Sequence, residues 1–180
     1  VMLKIVNPGI ELYDEEKEEF ITTKPQTLHL EHSLVSLAKW ESKWNKPFLT
    51  KDNKTYEETI DYIRCMTITQ NVSEDTYRLL TSENIQQVNE YINLPMTATT
   101  FSNQKKTPSK EVVTAEIIYY WMISLNIPFE FQKWHLNRLL TLINVCNIKN
   151  RPSKKMSKRD ILNRNKALNK ARREALNTKG

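Results

Sequence analysis

Few residues of this chain have types and spacings that could do chemistry. The imidazoles are His29, His32 and His135, and the thiols are Cys65 and Cys146. His29 and His32 stand three apart at an expected strand-to-helix junction, and His135 sits in a late helix. Zinc takes four protein ligands at a structural site and three at a catalytic one. None of the paired spacings that such sites use occurs here, so no metal is expected. Catalysis by a cysteine needs a thiolate beside a base, and both cysteines lie in apolar helical patterns that read as inert core thiols. Glu41, Glu116 and Glu130 lie near apolar helices, where burial would raise a carboxyl pKa toward acid–base work. Charged side chains are rarely buried, so each is expected to face solvent or to pair with a nearby lysine. No catalytic, cofactor-binding or metal-binding residue is assigned; the chain reads as non-enzymatic, with no cofactor.

Glycine sharpens the exclusion. The only two are Gly9 and Gly180. Loops that cradle phosphates need glycine, because backbone N–H groups must approach the ligand without a Cβ in the way. A P-loop, a dinucleotide-binding fingerprint, a kinase-type glycine-rich loop and the G-x-S-x-G nucleophile elbow are all absent. The same scarcity predicts a body of capped helices with little need for left-handed turns.

What remains are features suited to binding. Trp40 and Trp44 stand four apart beside Lys39 and Lys43. Tryptophan is enriched at binding hot spots, which makes the pair a candidate partner contact, although an i, i+4 aromatic pair is also what an inward helix face looks like. Trp121 and Trp134 read as core. The charge is divided unevenly. Of 27 Lys and Arg residues, 12 lie from Lys149 to Gly180, against 2 of the 21 acidic residues, so that segment carries +10. The rest has 15 basic against 19 acidic residues, or −4, a division hidden by the overall +6. The basic segment admits docking on an acidic protein surface, binding to nucleic-acid phosphates, or lying on an anionic membrane. It has no aromatic residue to stack on bases and no Trp or Phe to insert into lipid. Docking on protein is favoured, with Lys158, Arg159, Arg172 and Arg173 as its first candidate contacts.

These residues must be carried by a chain of one-domain length. Residues 1–31 read as a small β element. Leu3–Val6 is one strand, and Phe20–Lys24 and Thr27–Glu31 flank a turn at Pro25-Gln26, with an acidic loop from Asp14 to Glu19. Helices follow. One opens at Ser33 and stops at Pro47, one opens at Thr55, a short one at Ser73 and another at Ser82. Small polar residues and carboxylates at these starts supply acceptors for unpaired N–H groups. Pro95–Pro108 reads as a loop. Glu111–Leu125 is apolar on nearly every side and reads as the central core helix. It forms an αα-hairpin with a second long helix from Phe129 through Cys146. Ser157-Lys158-Arg159-Asp160 has capping-box spacing and opens a basic helix with Ile161, Leu168, Ala171 and Ala175 on one side. The fold class expected is mainly α: a helical domain over 1–150 with a small N-terminal β hairpin or sheet, and a basic helical extension over 151–180. No apolar run reaches bilayer-spanning length, no cleavable signal pattern is visible, and two cysteines without a motif suit a reducing, cytosolic setting.

Four stretches carry a resemblance. They are His32-Ser33-Leu34-Val35-Ser36-Leu37-Ala38-Lys39-Trp40-Glu41-Ser42-Lys43-Trp44 with Lys46-Pro47-Phe48-Leu49; Thr97-Ala98-Thr99-Thr100-Phe101; Glu116 to Met122 with Ile127-Pro128-Phe129 and Trp134 to Leu139; and Met156-Ser157-Lys158-Arg159 with Arg164-Asn165, Leu168-Asn169 and Arg172-Arg173. Together they resemble proteins encoded in the tail-gene region of tailed bacteriophages, several described as tail assembly chaperones. The resemblance spans nearly the whole chain but includes no functional motif, so no active-site residue is carried over. It implies a protein that binds the long helical tape-measure protein during tail assembly, in the cytoplasm of the infected bacterium, and is absent from the finished virion. A structural virion component, such as a connector or tail-completion protein, is the alternative, and a nucleic-acid binder using the basic tail is a further one. Oligomerisation is compatible with each.

Overall fold

A computed structural model describes residues 2–7, 9, 11–16, 18–22, 24–101, 111–151 and 157–178. The architecture is mainly helical, with a small N-terminal antiparallel β element and a C-terminal helix, as expected. Contacts divide the chain into two units, Val1–Asn147 and Ile148–Gly180.

In the first unit, β1 (Leu3–Asn7) pairs antiparallel with β4 (Gln26–Leu30), and β2 (Glu11–Asp14) pairs with β3 (Glu19–Thr22). The inner pair is thus inserted into the turn of the outer pair. This differs from the expected turn at Pro25-Gln26: β3 and β4 do not pair, and β2 occupies a stretch the sequence left unassigned. β1 and β4 alternate, with Ile5, Leu28 and Leu30 facing inward, the period of two that a half-buried strand requires. The free edge of β4 is met by the chain leaving the second helix, through Glu31 N–H to Met66 C=O (2.9 Å) and Ile68 N–H to His29 C=O (2.8 Å).

The helices are α1 (Leu34–Trp44), α2 (Tyr56–Met66), α3 (Glu74–Arg78), α4 (Ser82–Asn93), α5 (Ala115–Ser124) and α6 (Leu136–Asn150), with a 3-10 turn at Phe129–Lys133. Ser33, Thr55 and Thr81 close reciprocal capping boxes at the starts of α1, α2 and α4, and Ser73 caps α3. Each satisfies donors that a helix leaves unpaired. Left-handed turns do occur, contrary to the expectation from the glycine count. Asparagine takes most of them, at Asn45, Asn71, Asn126 and Asn177, and Met96 and Glu18 also have positive φ. Asparagine tolerates this region because its short polar side chain bonds locally.

Among the described residues, two apolar clusters make up the interior. One joins Ile5, Leu28 and Leu30 of the strands to Trp40, Ile63, Met66 and Val88. The other joins Leu34 and Leu37 to Ile118, Met122, Leu136 and Leu139. α1 contributes to both, so it is the central helix. α5 is not: it buries Ala115, Ile118 and Met122, while Tyr120 and Ile123 are exposed. An apolar composition on nearly every side does not by itself place a helix at the centre of a fold. The predicted loop at Pro95–Pro108 lies partly outside the described residues; its described part, up to Phe101, is irregular.

In the second unit, α7 (Lys158–Leu176) is capped by the Ser157 side chain at its start and ends at Asn177 in the left-handed region. No helix among the described residues is long and apolar enough to cross a membrane.

Candidate functional site

Two of the histidines converge, but not the two adjacent in sequence. The starts of α1 and α6 lie side by side, joined by Leu136 N–H to His32 C=O (2.8 Å). This places the His32 and His135 rings edge to face, with centroids 5.0 Å apart. Burial raises the Tyr62 pKa, so its hydroxyl stays protonated, and it shares a hydrogen bond of 2.6 Å with His32 Nδ1. His135 donates from Nε2 to the Tyr91 carbonyl at 3.0 Å, and its buried Nδ1 has no hydrogen-bond partner. Burial, followed by the neighbouring His135, lowers the His32 pKa to about 3. His135 is also lowered, chiefly by burial. Both rings are therefore neutral near pH 7. His29 instead lies on β4, its backbone N–H bonded to Thr69 Oγ1. Cys65 and Cys146 are free and half-buried, and burial raises the Cys65 thiol pKa, which disfavours the nucleophilic thiolate. No cluster of three or more metal-ligating residues exists among the described residues.

The carboxylates are used in ways that sequence spacing does not reveal. Glu41 is buried and neither faces solvent nor pairs with a lysine, which corrects the expectation for it. Its two oxygens accept from the backbone N–H groups of Phe48 and Ala115, each at 2.7 Å. Ala115 opens α5, and Thr114 before it makes no side-chain cap. Glu41 of α1 therefore caps α5 from 74 residues away. Glu58 accepts from Lys46 at 2.5 Å and from Thr55 N–H at 2.8 Å, and these bonds, the lysine's first, lower its pKa. Asp61 accepts from Lys43 and, at 2.9 Å, from Trp44 Nε1. Glu116 and Glu130 are exposed, as expected.

The tryptophan pair is accounted for inside the body. Trp40 is 1% exposed, with Nε1 donating to the Glu58 carbonyl at 2.8 Å. It therefore offers a partner no surface, and Trp44 stacks on it half-buried. Trp121 and Trp134 are half-buried rather than fully core. Trp134 is held between the Phe131 ring, at 4.0 Å between centroids, and the Arg138 guanidinium.

The surface feature that sequence reading missed is the outer side of α5 and the turn after it. Tyr120 is 66% exposed, Ile123 60% and Phe129 54%. Tyr119 lies against Phe129 and is tied to Gln132 through its hydroxyl at 2.9 Å. A groove of about 580 Å³ opens where Leu49, Val112 and Val113 meet Trp121 of α5 and Leu140 of α6. The signal was present in the apolar excess of α5, which is more than one buried face requires.

In α7 every residue is exposed, including Lys158, Arg159, Arg172 and Arg173 and the apolar Ile161, Leu162 and Leu168. Across one of its turns Lys170 pairs with Glu174 at 3.9 Å. No family model, no curated protein and no solved structure matches the chain.

Proposed function

We propose that this protein is a non-enzymatic tail assembly chaperone of a tailed bacteriophage, acting in the host cytoplasm on the helical tape-measure protein. The observation that carries the reading is the exposed apolar side of α5 and its turn, Tyr120, Ile123 and Phe129. Large apolar groups exposed together in one region of a surface mark sites of protein interaction. A helix-in-groove partner supplies an apolar stripe at i, i+3, i+4 and i+7, which is what a tape-measure protein exposes before the tail tube encloses it. The buried carboxylates support the same reading, because Glu41, Glu58 and Asp61 are engaged in holding helices and loops in place.

Co-expression with the tape-measure protein of the same phage tests this. The expected result is soluble tape-measure protein that co-purifies with the chain, and insoluble tape-measure protein when Tyr120 and Ile123 are changed to glutamate. Equal solubility with and without the chain would overturn the proposal.

A further inference from the structure

The basic residues of α7 are not spread evenly around it. At about 100° per residue, Arg159, Lys166, Lys170 and Arg173 fall within a sector of roughly 60°. They form a stripe running about 21 Å along the axis. The apolar seam of Ile161, Leu168, Ala171 and Ala175 lies on the opposite side. Of the four tail residues singled out from sequence, Arg159 and Arg173 are on the stripe, and Lys158 and Arg172 are off it. α7 is one uninterrupted, capped helix, so these positions are fixed relative to one another.

We infer that α7 carries a phosphate-binding stripe, Arg159, Lys166, Lys170 and Arg173, that contacts the backbone of duplex nucleic acid without reading its sequence. This site is separate from the proposed tape-measure contact. A protein helix docked on the seam would meet Arg164, which falls within it, and Arg172 at its edge, and would not reach a stripe on the far side; specificity-setting charges in helix pairs lie beside the apolar seam. A phosphate backbone, by contrast, is itself a linear array, with one anion per about 3.4 Å of duplex axis on each strand. The helix has no aromatic side chain, which removes the stacking that single-strand binders use, and no Trp or Phe to anchor it in lipid. Duplex is therefore the partner that uses what the stripe presents.

The test uses the full chain and a labelled 20-base-pair duplex of arbitrary sequence, with binding read by fluorescence anisotropy from about 50 to 200 mM salt. Four phosphate contacts give a slope of log K against log salt of roughly −3.6. The quadruple variant Arg159→Gln, Lys166→Gln, Lys170→Gln, Arg173→Gln is expected to lose about tenfold or more in affinity at the lower salt. A control variant, Lys158→Gln, Arg164→Gln, Arg172→Gln, removes three charges away from the stripe and is expected to lose less than about threefold. Glutamine is a good helix former, and circular dichroism checks that both variants keep their helix content. The inference is overturned if wild type does not bind at the lowest salt, or if the two variants lose affinity equally, since net charge alone would then suffice. It is also overturned if polyglutamate or vesicles rich in anionic lipid bind wild type as tightly as the duplex does.

Discussion

Lowering the pH from 7 to 5 should destabilise the body through His32. In the fold this ring is held neutral: its Nδ1 is hydrogen-bonded to the Tyr62 hydroxyl, and its pKa is pushed down to about 3 by burial and by His135. In the unfolded chain it takes a proton near its ordinary 6.5. A folded-state pKa below the unfolded one means that the unfolded state binds more protons in between. Stability from this group is therefore complete above 6.5 and declines as the pH falls from there toward 3. Each pH unit is worth about 1.4 kcal/mol, so the interval from 6.5 to 5 costs about 2 kcal/mol. For a unit of this size that is a fall in Tm of roughly 4–8 °C. His135, whose pKa is also lowered by burial, adds to the loss, and Glu31, raised by burial, opposes it. The variant His32→Asn separates these contributions. Its side-chain amide, which can donate or accept, can take the place of Nδ1 in the hydrogen bond to Tyr62, and it does not titrate. Thermal unfolding of both proteins at pH 7 and pH 5 is the assay. Wild type should lose about 2 kcal/mol more than the variant between the two pH values. Equal losses would refute the reasoning.

Other perturbations follow from the same geometry. Glu41→Ala leaves the Phe48 and Ala115 N–H groups without acceptors and should cost roughly 2–4 kcal/mol in urea unfolding, whereas Glu41→Gln, which keeps one acceptor oxygen, should cost less. Asn45→Gly should alter stability by no more than a few tenths of a kcal/mol, while Asn45→Ala should lose about 1 kcal/mol, because only the second forces a Cβ into the left-handed region at φ 53. Tyr120→Glu with Ile123→Glu should leave stability within about 0.5 kcal/mol of wild type, as exposed substitutions do, while removing capture of the tape-measure protein. Chemical denaturation and co-purification of that variant check the two halves of the claim separately.

Local chemistry was legible in the sequence. Ser33, Thr55, Ser73 and Ser157 announce helix starts because a cap and the N–H groups that donate to it lie within four residues of each other. The mainly helical class and the separate basic helix followed from periodicity and charge. Long-range pairings were not legible. The insertion of β2 and β3 between β1 and β4 depends on which strands meet, and Glu11-Leu12-Tyr13-Asp14 has too few apolar residues to stand out as a strand. The composition of α5 suits a central helix, because composition cannot distinguish an apolar side facing the core from one facing solvent, where Tyr120 and Ile123 lie. Glu41 looked like a solvent-facing carboxylate because one of the groups it caps is 74 residues away. His32 and His135 come together only because α1 and α6 start side by side. The scarcity of glycine suggested few left-handed turns, yet asparagine adopts them readily enough that the count of glycines was a poor guide.

Quantitative mass spectrometry of purified virions, with the infected-cell lysate measured alongside, bears most directly on the proposal that this chain chaperones tail assembly. A chaperone is abundant in the lysate and absent from the virion at any stoichiometry comparable to the tail proteins. Recovery of the chain in virions in fixed proportion to those proteins would contradict the proposal and make it a structural component.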